Sequence, residues 1–327
     1  MHAYTPLILW TGLGLLLFRF MPDRFPRLLG RSLYWVGVPL EILALARRTD
    51  FSQGTSVTPI ITIVVLLLGL GLSWLSWQAF ERPFDPNRED VLTMEPSETP
   101  SSETATRNAI GSRSRQGSYI LSSTISNTGF VGLAIAPFLV SDRYLGLIII
   151  YGVTHNILGT YGLGVFISSY FGQSEPGENI GRQIRDVLSV PSLWVFAFGV
   201  LTQSVVLPSA LESGLQNSLL VVIPAAFLLT GMRLRQLQGW KSLKVALVPA
   251  GLKVAILPLL LGGGLTLLGW SGDARLALVL MSGMPTAFGG LILAEEYDLD
   301  RELITSSLIL TTIGLLVMIP VWLVIFG

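Results

Sequence analysis

The stretch STISNTGFVGLAIAPF, residues 123–138, decides how this chain is read. It lies in a long uncharged run otherwise rich in Leu, Ile and Val, yet it sets Asn127, Thr128 and Gly129 side by side. In hydrocarbon every backbone N–H and C=O must find its partner inside the protein. A helix break at these residues therefore has to be packed in protein or line a watery cavity.

Composition says that the surrounding solvent is hydrocarbon. Of 327 residues, 51% are hydrophobic and only 13% are charged, about half the charge of an ordinary soluble domain, where roughly 25% is usual. The 21 basic and 21 acidic residues cancel. No basic stripe neutralises phosphates, so nucleic acid is not an expected partner. There are no cysteines, and the histidines are His2 and His155. That excludes disulfides, thiolate metal sites and a histidine-rich metal or catalytic cluster. No nucleophile–base pair stands out, and Gly262-Gly263-Gly264 lies in an apolar run without a phosphate-binding motif around it. The chain reads as a non-enzyme that needs no cofactor and no metal.

A membrane-spanning helix needs roughly 17–25 predominantly apolar residues. Ten segments come near that length, at about 4–21, 32–47, 57–80, 115–140, 144–171, 188–207, 212–232, 244–270, 275–296 and 303–326. The first lacks a basic residue before its apolar run and has no small-residue cleavage site after it, so it reads as a span and not a signal peptide. With the N-terminus outside, 16 of the 21 Lys and Arg fall on the cytoplasmic side and four on the outer side. Lys253 lies within a span. That asymmetry follows the positive-inside rule and puts both termini outside. Residues 81–112 are rich in Glu, Ser, Thr and Pro and read as a disordered cytoplasmic linker. The expected organisation is spans 1–3 in 1–80, the linker in 81–112, spans 4–5 in 113–171, a cytoplasmic loop in 172–187 and spans 6–10 in 188–327.

The interrupted stretch has a second copy. TGFVGLAIAPFLVSDR (128–143) aligns without gaps to TAFGGLILAEEYDLDR (286–301), with seven of sixteen positions identical. A weaker match joins VPLEILALARR (38–48) to IPAAFLLTGMR (223–233). Five spans thus repeat as five more. Five is odd, so the second copy enters the membrane from the opposite face. The expected fold is an all-α polytopic membrane protein of ten helices, a 5+5 inverted repeat of the kind that channels and carriers use.

The repeated interruption nominates a site. Asn127, Thr128 and Gly129 break one span, and Met284, Pro285 and Thr286 break its partner. Each break starts a half-helix whose first N–H groups lack intrahelical partners and carry about half a positive charge. Two such ends brought together make a place for an anionic group. The plainer reading is that Asn127 and Thr128 cap a kink or pack helices, as small and hydroxylated residues do in membranes. Three ionisable residues lie within spans, where such groups are functional candidates. Glu41 could take up a proton, or pair with Arg47 or Arg48. Lys253 could attract a carboxylate, or snorkel to the cytoplasmic face. His155 titrates near neutral pH when unperturbed, or is structural.

At these residues the chain resembles the auxin efflux carrier family of permeases, whose fold is similar to that of the bile acid–sodium symporters. The resemblance rests on SNTGFVGLAIAPF, THNILGTYGLGVF and MPTAFGGLILAEEYDLDRELITSSLILTT. It implies that the broken fourth and ninth spans cross, that spans 1, 2, 6 and 7 form a more static domain, and that an organic anion is held near the crossover. It also places Asn156 there. The family pattern usually carries Pro after NTGFxGL, where this chain has Ala134, with Pro137 three residues on. The expectation is a carrier for a small organic anion such as a carboxylate, working by alternating access; coupling to H+, coupling to Na+ and uniport are all compatible with it. A homodimer in the lipid bilayer is compatible with it. The competing expectation is a non-transporting sensor or scaffold that signals through 81–112.

Overall fold

The structure is a computed structural model that describes residues 4–22, 24–48, 55–81, 102–172, 191–235 and 241–327. Among these, regular structure is helical except for one isolated pair of bridged residues. In chain order the helices are α1 (Tyr4–Leu17), α2 (25–48), α3 (55–81), α4 (Ser102–Thr124), α5 (128–138) and α6 (142–171). There follow α7 (Pro191–Leu201), α8 (Ser209–Arg235), α9 (241–267), α10 (Gly272–Ser282), α11 (Phe288–Glu296) and α12 (Arg301–Phe326). Among the described residues, five stretches are long and apolar enough to cross a membrane: Thr55–Ala79, Asp142–Phe171, Ser209–Arg233, Leu243–Leu267 and Arg301–Phe326. Large apolar side chains such as Leu67, Leu220, Leu267 and Val324 point outward. On a protein in water that belt would be an aggregation surface; on an integral membrane protein it faces lipid.

The helices form two packed groups. In one, α1 lies along α8, and α2 packs between α7 and α8. In the other, α4 packs on α3, α6 and α12, while α9, α10 and α12 pack on one another and α10 reaches α6. Water cannot drive helices together inside a bilayer, so close approach and dispersion must do so. Gly14 and Gly231 show how. A β-carbon on Gly231 would overlap the Thr11 carbonyl, and one on Gly14 would overlap the Leu228 carbonyl. The two helices touch backbone to backbone. At the end of α2, Arg47 ties the second helix to the α7–α8 turn through the carbonyls of Thr202 (2.5 Å) and Val205 (2.8 Å) and an ion pair with Glu212 at 3.5 Å.

Two expectations need correction. The helix α4 begins at Ser102, inside the stretch read as linker and just past Pro100, beyond which no proline interrupts the helix. Residues 82–101 lie outside those described. The interruption in the fourth segment also sits earlier than expected: it covers 125–127, and Thr128 and Gly129 already belong to α5. Ala134 and Pro137 lie within α5, well past the break, so the departure from the family pattern at 134 does not shape it.

The α1–α8 contact can be tested. Gly231→Ala is expected to destabilise the protein by about 1–3 kcal/mol, the usual cost of overpacking, seen as a lower melting midpoint in detergent. An unchanged midpoint would rule out backbone contact between α1 and α8.

Candidate functional site

The two breaks meet. Asn127 N–H donates to the Pro285 carbonyl (2.7 Å) and Ala287 N–H donates to the Ile125 carbonyl (3.0 Å), so Ser126 and Thr286 face each other in an antiparallel bridge. Two interrupted helices thus satisfy each other's backbone at the crossing. Pro285 has no N–H of its own to satisfy, which removes one orphan donor from the most crowded point.

The helix ends around this crossing are closed group by group. At the C-terminal end of α4, Ile125 N–H donates to the Leu121 carbonyl at 2.9 Å. The Thr286 hydroxyl donates to the Ser122 carbonyl at 2.9 Å, and Lys253 Nζ donates to the Thr124 carbonyl at 2.6 Å. At the start of α5, Asn127 is the N-cap: its side-chain oxygen accepts from Phe130 N–H at 3.3 Å. Its own carbonyl accepts from Val131 and Gly132. Ser126 N–H donates weakly to His155 Nε2 at 3.4 Å. Thr286 N–H donates to the Thr311 hydroxyl at 3.0 Å.

Beside the crossing is a cavity of about 30 Å³, a few times the ~10–15 Å³ that one water needs. Asn127, Gly129, Asn156 and Thr160 line it, together with Phe288 and Gly289 from the first turn of α11. The N-terminal ends of α5 and α11 both open on it. Of the predicted residues, Asn127, Gly129 and Asn156 therefore share one cavity. Asn156 lies so close to Gly129 that a β-carbon there would stand 3.0 Å from its amide nitrogen. Thr128, Pro285 and Thr286 are buried behind it and build the crossing. Thr128 donates weakly to the Gly152 carbonyl at 3.5 Å.

Residues 187–323 match the sequence model of a family described as membrane transport protein. Over that stretch the chain is similar to a family of transporters. The match covers α7 to α12 and so contains the second break, and it agrees with the resemblance to auxin efflux carriers read from the residues. A protein of Methanothermobacter thermautotrophicus described as an uncharacterized transporter is 28% identical over 203 residues, which is 62% of this chain and 65% of that relative. The chain thus matches less than two thirds of that relative's length. The family is one of transporters and not of enzymes.

Of the three ionisable candidates, Glu41 and Lys253 depart from their plainer readings, while His155 follows its structural one. Glu41 does not pair with Arg47, whose guanidinium is taken by the α7–α8 turn; the Arg48 side chain lies outside the described residues. Glu41 is 1% exposed, both its oxygens lack a hydrogen-bond partner, and it sits one turn beyond Val38, which lines the cavity. Lys253 does not snorkel: it is fully buried and points at the break. His155 holds the bridge and does not line the cavity.

Local helix geometry was missed in the residues. Thr128–Gly132, His155–Gly164 and Leu252–Ile256 are π-helical, and Leu33–Gly37 is the π-helical turn just before Val38. Such wide turns cluster at functional sites, and here they aim Asn156, Thr160 and Lys253. A signal existed for two of them. Pro39 and Pro258 follow the turns at 33–37 and 252–256 by two residues. A proline ring crowds the carbonyl four residues back, and a widened turn relieves it.

Thr286 gives a direct test of the crossing. Thr286→Val leaves the buried Ser122 carbonyl without its hydroxyl donor and is expected to cost about 1–3 kcal/mol, whereas Thr286→Ser retains most of the stability. Equal melting midpoints for the Val variant and the parent would show that this hydroxyl does not hold the breaks together.

Proposed function

We propose that the chain is a secondary transporter that moves a small organic anion, such as a carboxylate, by alternating access, with the substrate held where the two breaks cross. The observation that carries this reading is the cavity onto which both α5 and α11 open with their N-terminal ends. A helix N-terminus in a partly buried setting contributes up to about 2 kcal/mol toward an anion. Two ends contribute at most about 4 kcal/mol, from which the costs of association and desolvation are subtracted. Asn156, whose amide can donate or accept, adds direction to that attraction. Binding is therefore expected to be weak, as suits a carrier that must also release its cargo.

The proposed architecture is the 5+5 inverted repeat of ten spans, with both termini outside. The division into two packed groups supports the motion. The group of α1, α2, α7 and α8 would stay while the other rocks around the crossing. A cavity of about 30 Å³ is too small for a dicarboxylate, so the arrangement corresponds to a closed state from which the groups separate to admit substrate. Glu41, buried without a partner beside Val38, is the residue proposed to carry a coupled proton.

Purified protein in proteoliposomes should take up or release at least one member of a carboxylate panel, with imposed proton or sodium gradients reporting the coupling. Asn156→Ala and Gly289→Leu should each lower flux at least tenfold, the first by removing a polar contact and the second by filling the cavity. Intact flux and binding in both variants would eliminate the crossover as the site. Deleting residues 82–101 should leave flux unchanged; loss of function on that deletion with no flux in the parent would favour a sensor that signals through the linker.

A further inference from the structure

The most unusual charge in the protein is Lys253. It is fully buried, it comes from α9, and its Nζ reaches 2.6 Å from the Thr124 carbonyl, the last of α4. Among the described residues no carboxylate lies within ion-pair distance of it. A charged side chain held inside a membrane protein is costly, and a lysine stem is long enough to escape to an interface when nothing holds it. Something at the crossing therefore offsets that cost. The helix end supplies it: the unpaired carbonyls of α4 carry about half a negative charge.

The chemistry around this end is that of a monovalent cation site. The same last turn of α4 presents backbone carbonyls and the hydroxyls of Ser122 and Thr124, both buried without a hydrogen-bond partner. Oxygen ligands of this kind suit hard cations. Unwound backbone and half-helix C-terminal ends coordinate Na+ in transporters with broken helices. Here a π-helical turn at Leu252–Ile256, set by Pro258, aims a side-chain ammonium at that end instead. The titratable group on the opposite flank is His155, whose Nε2 is engaged by Ser126 N–H and so offers the ammonium no lone pair.

We infer that the Lys253 ammonium is a tethered cation that fills a monovalent-cation position at the end of α4, so that the crossover assembles without bound Na+. The inference concerns the crossover proposed above as the transport site, and it identifies what neutralises one side of it. Its test reads stability and not flux, so it stands or falls whether or not a carboxylate is carried.

Melting of the purified full chain in detergent would be compared in NaCl, LiCl, KCl and choline chloride at matched ionic strength, with and without ethylammonium chloride. The parent should melt at the same temperature in all of them. Lys253→Ala should melt lower in choline, and Na+ or ethylammonium should restore at least about 3 °C in a saturable manner. Lys253→Met, which fills the volume without charge, should melt lower and not respond. A saturable Na+ stabilisation of the parent would overturn the inference, as would a Lys253→Ala protein indifferent to every small cation. If Lys253→Ala does not fold, Lys253→Arg and Lys253→Met decide: a folded Arg variant near the parent's midpoint with a destabilised Met variant supports a required charge, and a Met variant that melts like the parent overturns it.

Discussion

The structure depends on one pair of backbone hydrogen bonds, between Asn127 and Pro285 and between Ala287 and Ile125. A helix that stops inside a membrane leaves up to four orphan groups at each new end, and hydrocarbon offers nothing to receive them. Breaking one helix would be prohibitive. Breaking two and laying the gaps across each other lets each strand of the crossing supply what the other lacks. What remains is met by side chains from the helices around it: Thr286 and Lys253 at the end of α4, Asn127 at the start of α5, His155 and Thr311 at the bridge. The polar residues that look out of place in an apolar sequence are the partners that this crossing demands.

The same constraint generates the cavity. The first residues of α5 and α11 line the space beside the crossing. Gly129 and Gly289 leave room at the two helix starts, and the wide π-helical turn of α6 brings Asn156 and Thr160 to the third side. The crossing and the cavity therefore come from one feature. The two uses separate by residue: Thr128, Pro285 and Thr286 build the crossing, while Asn127, Gly129 and Asn156 also border the cavity. Lys253 and His155 belong to the scaffold side of that division.

Much of this was legible in the residues. The helical class, the apolar segments and the two interruptions follow from runs of apolar residues with local polar and proline breaks, which are properties of neighbours in sequence. The alignment of TGFVGLAIAPFLVSDR with TAFGGLILAEEYDLDR tied the interruptions together before any geometry was known. The start of α4 at Ser102 was not legible, because low hydrophobicity and high Ser and Thr content describe a solvated helix as well as a linker. The partners of Glu41 and Lys253 were not legible either. Both had plausible partners nearby along the chain or toward an interface, and both were left without them by packing from helices far away in sequence.

The sequence by itself determined that this chain lives in a membrane, that it is helical, and that two of its apolar segments are interrupted at related places. Those conclusions need only composition and local pattern, since the hydrophobic and conformational preferences that enforce them act within a few residues. Only the tertiary structure decided that the interruptions pair through their backbones, that Asn156 and Gly289 share a cavity, and that Lys253 caps the end of α4. Each of those joins segments about 130 to 160 residues apart, and such contacts are selected by the need to satisfy every buried polar group at once, which no local stretch of sequence expresses.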